Sequence, residues 1–305
     1  MLRLIYRQRR RLIVGGFFGT LGLMMMVMDQ FHVIGLSGEG LSGEGLSSEP
    51  AWIVAATLIL TAILVWIGFM LAGAVIVLLL PNWRFMVEMI GIVMFANAAM
   101  NALFPWVFHI PFIGPLAPFI LSMSFFALMY GELLDRFRLW LDYREQRSFV
   151  SPKSAQELWA ELVPGAAPIE HHWDSLLYSM EPDPDDPDAY QVQYNHGVSL
   201  YEHQTMTFLQ KDAPHYAKYH HVGEVDPKNR HLVEGTYEIR ITPRAKGGCT
   251  VTFSDCRSLM LHRLALTVWF DDYLGDQTDH LRARHRGRSD WSLAGRFRRK
   301  IGQLS

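Results

Sequence analysis

Apolar positions crowd the first 131 residues with little periodicity, then give way to strand-like alternation and helical stripes. Residues 51–80 contain no charged residue, no Pro and no Asn or Gln. A helix needs roughly 20 apolar residues to cross a bilayer, and a helix buried in a soluble protein seldom stays apolar on every face for longer. The run predicts a membrane span. Residues 12–28 form another apolar run behind the basic segment 1–11, and residues 85–108 and 111–131 form two more. A cleaved signal peptide is the rival reading of the first run, but Met28-Asp29-Gln30 follows it in place of a small-x-small cleavage site. The expected architecture is an α-helical transmembrane anchor of four spans over residues 1–131, followed by an α+β soluble domain.

Charge orients the spans. Arg3, Arg7, Arg9, Arg10, Arg11, Arg84, Arg136, Arg138, Arg144 and Arg147 lie on one side, and both loops expected on the other side lack Lys and Arg. The positive-inside rule predicts a multi-pass protein of the cell (inner) membrane with both termini cytoplasmic. The Gly/Ser-rich loop 35–50, with its GLSGE repeat, reads as a flexible linker. Glu88 is expected to pair with Arg84 one turn away. Asn97 and Asn101 are expected to hydrogen-bond between helices, and the Gly15/Gly19 pair, with Gly22, to mark a close contact with another helix or a membrane-protein partner. No acidic relay crosses the spans, which leaves a transporter poorly supported.

Residues 132–147 show i, i+4 spacing at Leu133, Phe137 and Leu141, which predicts an amphipathic juxtamembrane stalk. Residues 148–286 read as one domain. It opens with a strand at 148–150 and a helix over 155–162, with Ser154 as N-cap and Glu157 at the capping-box spacing. A helical piece follows at 172–178, and strands follow at 190–194, 198–208, 215–225, 232–242 and 249–254. The clearest hairpin sets Tyr237, Ile239 and Ile241 on one face, answered by Val251 and Phe253. A single helix over 263–284 is expected to cover the sheet through Leu266, Trp269, Phe270, Tyr273, Leu274 and Leu281, with Asp271, Asp272, Asp276 and Asp279 off that stripe.

SFVSPKSAQELWAEL (residues 148–162) looks like the opening strand and helix of the START-like superfamily, also called SRPBCC or polyketide cyclase-like. GTYEIRITPRAKGGCTVTF and the helix FDDYLGDQTDHLRARHRG resemble its late hairpin and closing helix. The resemblance covers about 140 residues and leaves the four-span anchor unmatched. It implies a helix-grip fold, a curved antiparallel sheet wrapped on a long C-terminal helix around a deep, largely apolar cavity. The ligand it implies is a hydrophobic small molecule or lipid, with Tyr237, Ile239, Ile241, Val251, Phe253, Phe270 and Tyr273 as lining. The superfamily shares no catalytic set, so no catalytic residue carries over. An adaptor subunit without ligand and a cyclase- or aromatase-like enzyme are the alternatives.

Composition changes this picture little. The 305 residues carry a formal charge of -2, with 13 His and two Cys. No HExxH, P-loop, G-x-S-x-G or dinucleotide-binding motif occurs, so neither a metal nor a cofactor is expected. Cys249 and Cys256, in one strand running into a bend, suit buried thiols better than a bridge. The tail, residues 287–305, with Arg286 just before it, is basic and amphipathic. In a chain already tethered to the bilayer, Arg286, Arg288, Trp291, Arg296, Phe297, Arg298, Arg299 and Lys300 are expected to contact the anionic leaflet rather than nucleic acid.

Overall fold

The computed structural model describes residues 1–36, 51–137, 140–195, 201–224 and 232–301. The loop repeat, His196, the strand start at 198–200, His231, Leu304 and Arg138 lie outside the described residues. The chain divides into two compact units, in essence residues 4–133 and 134–305.

The first unit is helical: α1 (Leu2–Arg7), α2 (Arg9–Leu36), α3 (Ala51–Leu79), α4 (Met86–Leu103), α5 (Pro105–Phe108) and α6 (Ala117–Met129). Three segments are long and apolar enough to cross a membrane, Arg9–Met28, Ala55–Leu79 and Pro81–Leu103. The expected fourth span is shorter. Pro105, Pro111, Pro115 and Pro118 interrupt residues 104–118, leaving α6 with 13 residues. That is about 20 Å of helix against a hydrocarbon core of about 30 Å.

Glycines let α2 and α4 approach backbone to backbone. A Cβ at Gly91 would come within 2.8 Å of the Gly15 Cα, and one at Gly22 within 2.8 Å of the Phe95 Cα. Gly19 instead faces the Phe69 ring of α3. The glycine face offered to a partner is therefore covered from within. Glu88 corrects the expected pairing with Arg84. It is fully buried and ion-paired with Arg11 of α2, and it accepts a hydrogen bond from the Tyr130 hydroxyl just past α6. Arg84 donates to the Pro81 carbonyl. Asn97 donates to the Val93 carbonyl of its own helix, not across helices.

The second unit is a seven-stranded antiparallel sheet in the order β1-β7-β6-β5-β4-β3-β2. Its strands are β1 (Trp140–Ser151), β2 (Leu177–Pro182), β3 (Ala189–Asn195), β4 (Tyr201–Asp212), β5 (Tyr216–Glu224), β6 (Leu232–Pro243) and β7 (Cys249–Leu261). Helix α7 (Ala155–Leu162) follows β1; α8 (His262–Asp271), α9 (Tyr273–His285) and α10 (Leu293–Ile301) follow β7. The capping box Ser154–Glu157 forms as the spacing requires. The hairpin register pairs Ile239 with Phe253 and Ile241 with Val251.

Three expectations fail here. From Trp140 the expected helical stalk is strand instead: β1 pairs along almost its whole length with β7, and cross-strand partners outweigh the i, i+4 pairs that suggested a helix. Leu177–Pro182 is an edge strand, not the end of a helix. The closing helix is two helices, broken at Asp272, which takes a left-handed φ of 47°. Arg147 of β1 holds the break by donating to the Asp272 carboxylate at 2.6 and 3.0 Å. Asp271, Asp272, Asp276 and Asp279, read as lying off the covering stripe, are all buried.

One face of the sheet carries the core. Phe149, Val251, Ile241, Ile239, Phe253 and Ala217 pack against Leu158 and Leu162 of α7 and Leu274 and Leu281 of α9. Cys249 joins this core as a free thiol, and Cys256 is half-buried and also free.

Candidate functional site

Along the same face the side chains change character from one end of the strands to the other. Pairing sets Glu145, Asp255, Tyr237 and Tyr219 in one row, and Tyr143, Arg257, Gly235, His221 and Met206 in the next. The apolar end is filled by the helices. The polar end opens into a cavity of about 150 Å³. Tyr194, Glu202, Gln204, Tyr219, His221, Tyr237 and Arg257 line it from the sheet, Tyr273 and Gln277 from α9, and His172, Trp173 and Asp174 from the segment before β2.

The walls are tied by specific contacts. Tyr219 and Tyr237 are direct cross-strand partners and stack at 5.5 Å. Arg257 holds the buried Asp255, its Nε lying 3.2 and 3.0 Å from the two oxygens and Nη2 3.0 Å from Oδ2. The guanidinium also lies 5.7 Å over the Tyr273 ring, which the break at Asp272 brings to the start of α9. Asp174 is held from behind by Arg298 of α10 at 2.9 Å, and that guanidinium stacks 4.8 Å over Trp173.

Burial decides the protonation states. It lowers the His221 imidazole to about 4, with the nearby Arg257 charge acting in the same direction, so the ring is neutral near pH 7. Burial, and then the surrounding acids, raise Tyr194 and Tyr237, and burial likewise raises Tyr219 and Tyr273; all four hydroxyls stay protonated. The Tyr237 hydroxyl is buried and finds no partner among the described residues. Desolvation would lower Arg257, yet Asp255 keeps it charged. The cavity thus offers neutral hydroxyl donors, a neutral imidazole, one balanced guanidinium and two carboxylates, Asp174 paired with Arg298 and Glu202 accepting from Gln204.

Of the residues expected to line a cavity, Tyr237 and Tyr273 do so. Ile239, Ile241, Val251 and Phe253 are core, and Phe270 is buried away from the cavity in α8. The lining differs from the apolar one implied by the resemblance. Tyr194, Tyr219, His221 and Arg257 were missed because their inward facing depends on strand register. Their signal was parity: counting by twos from Tyr237 across the paired strands brings Tyr219, His221 and Arg257 to the same face.

The tail is docked rather than free. The Asp276 carboxylate of α9 caps α10, accepting from the Leu293 and Ala294 N–H groups at 3.0 and 2.7 Å. Asp290 pairs with His280 at 2.8 Å and reaches Arg299 at 3.5 Å. Arg298 is spent on Asp174, whereas Arg296 lies over the Trp291 ring, and Trp291, Phe297 and Arg299 remain exposed. Arg286 follows α9 directly, and Gly287 (φ 58°) separates it from the exposed Arg288. The side chain of Lys300 lies outside the described residues. Among the described residues no three His, Cys, Asp or Glu side chains come together as metal ligands would.

No protein-family model matches the chain, and no curated protein matches its sequence. Solved structures similar to it include the Mll3558 protein from Rhizobium loti, at 10% identity and TM-score 0.38, over 48% of this chain and 97% of that one. A conserved protein from Geobacillus kaustophilus is 14% identical with TM-score 0.34, over 53% and 96%. Ara h 8.0201 is 12% identical with TM-score 0.32, over 44% and 98%. Likenesses this remote say nothing about a ligand.

Proposed function

We propose that the chain is a membrane-anchored binding protein whose helix-and-sheet unit holds a small, ring-sized polar molecule. The observation that carries this reading is the cavity itself, with tyrosine, histidine and arginine walls converging on about 150 Å³. A cavity of that size admits a benzene-sized molecule, whereas drug-sized ligands occupy roughly 300–1,000 Å³. Lipid as the occupant, implied by the resemblance, therefore gives way to a smaller guest.

Membrane anchoring is supported by the three apolar helices. An even number of crossings is supported by the Arg11–Glu88–Tyr130 cluster, which gathers the start of α2, the start of α4 and the end of α6. With the arginines of residues 1–11 and Arg84 at that same end, the positive-inside rule favours both termini in the cytoplasm. The exposed Trp291, Phe297 and Arg299 support contact of the tail with an anionic leaflet.

A cyclase-type enzyme is a second reading, favoured by one observation: a neutral imidazole and an unpartnered phenol share the cavity wall. Native mass spectrometry of the full chain released from its membrane tests the main reading. We expect a low-mass adduct that survives delipidation. A phospholipid-mass adduct lost together with the detergent shell, and no smaller guest, contradicts it.

A further inference from the structure

We propose that α10 is a strap over the movable wall of the cavity, and that Arg298 must release Trp173 and Asp174 for a guest to pass. This presupposes that the cavity binds a guest and adds the way in. The other walls are fixed. Strands β4, β5, β6 and β7 each have a hydrogen-bonded neighbour on both sides, and α9 is pinned in the core through Leu274 and Leu281. The remaining wall, formed by His172, Trp173, Asp174 and Leu176, leads into β2, which closes the sheet order and pairs with β3. Its backbone is moored at Trp173, whose N–H donates to the Glu161 carbonyl at 2.9 Å and whose carbonyl accepts from Arg284 at 3.2 Å. Its side chains are held from outside by α10. Arg298 reaches the Asp174 Oδ1 at 3.0 Å from Nε and 2.9 Å from Nη2, and lies 4.8 Å over the indole of Trp173. Asp174 otherwise accepts from the Leu176 N–H of its own segment.

The strap is fastened by polar contacts. Asp276 caps α10, and Asp290 just ahead of it pairs with His280. Of residues 293–299 only Gly295 is buried, and Phe297 is exposed. A short helix held by a few hydrogen bonds, with little apolar surface covered, opens at far lower cost than the sheet it rests on. Arg298 is thus a positioning residue: it fixes the two side chains that close the wall. Gly295 gives a second handle on the same motion. A Cβ there would run into the Asp290 carboxylate and come 2.9 Å from the His280 Nδ1. Gly295→Ala therefore unseats α10 without touching Arg298, and Ala does not weaken the helix itself.

Hydroxyl-radical footprinting of the full chain in detergent, read residue by residue by mass spectrometry, tests this without any guest. Arg298→Gln and Gly295→Ala are each expected to raise oxidation of Trp173, Tyr219 and Tyr237 about tenfold over the parent, the weight of one charge-assisted bond in the opening equilibrium. Phe149 and Phe253, at the filled end of the sheet, should stay as in the parent. A rise confined to Trp173, a rise shared by Phe149 and Phe253, or no change in either variant overturns the strap. None of these outcomes touches the reading of the cavity as a binding site, which the low-mass adduct decides.

Discussion

Replacing Glu88 with Leu is expected to destabilise the helical unit by about 3–5 kcal/mol, because it strands a charged Arg11 in the interior. Arg11 is 1% exposed and Glu88 0%. Neither can turn to water without opening the α2–α4 contact, which the glycines have brought to backbone distance. The pair itself contributes little beyond its own desolvation cost. The double replacement Arg11→Leu/Glu88→Leu should therefore recover most of the loss, at the expense of the bond to Tyr130. Thermal melting of the full chain in detergent measures both variants. A single variant that melts with the parent would mean that Arg11 finds another partner or reaches solvent.

The second large effect is expected at Glu161 of α7. This buried carboxylate meets Lys153 at 2.6 Å, His285 at 3.0 Å and Arg284 at 3.3 Å. It ties the first helix of the unit to the end of α9. Glu161→Leu leaves Lys153 and Arg284 without their acid and the buried His285 ring without its hydrogen bond, and should destabilise the fold by about 1–3 kcal/mol. The pH dependence has a definite sign. Burial alone would raise the carboxyl, but hydrogen bonds from His285 and Lys153 hold it down to about 2, against an ordinary value of 4.5. Its contribution is fully present above pH 4.5 and disappears as pH falls towards 2. The difference in stability between the parent and Glu161→Gln should shrink over that interval. A difference constant with pH would contradict the assignment.

What the sequence made legible follows from the range of the interactions involved. The apolar run at 51–80, the Ser154–Glu157 capping box and the β6–β7 hairpin are local, and all three are present as read. The stalk failed for a different reason. Leu133, Phe137 and Leu141 keep helical spacing, but from Trp140 onwards the choice was made by β7, about 100 positions further along the chain. The aspartates off the apolar stripe are nonetheless buried. Asp272 and Asp276 are buried because Arg147 and the start of α10 supply their hydrogen bonds, partners no helical wheel contains.

The site was legible only in part for the same reason. Tyr237 and Tyr273 were named, but the polarity of the cavity arises from rows that run across strands.

The central claim is that the polar end of the sheet encloses a ring-sized guest, and Met206 is a built-in reporter of it. Its buried side chain lies on the cavity wall beside the tyrosines. Methyl-labelled methionine spectra of the full chain in detergent, titrated with benzoate and separately with palmitate, read this directly. The account predicts a ring-current shift at the Met206 methyl with benzoate and an unmoved Met206 resonance with palmitate. A Met206 resonance that responds to palmitate and ignores benzoate would contradict it.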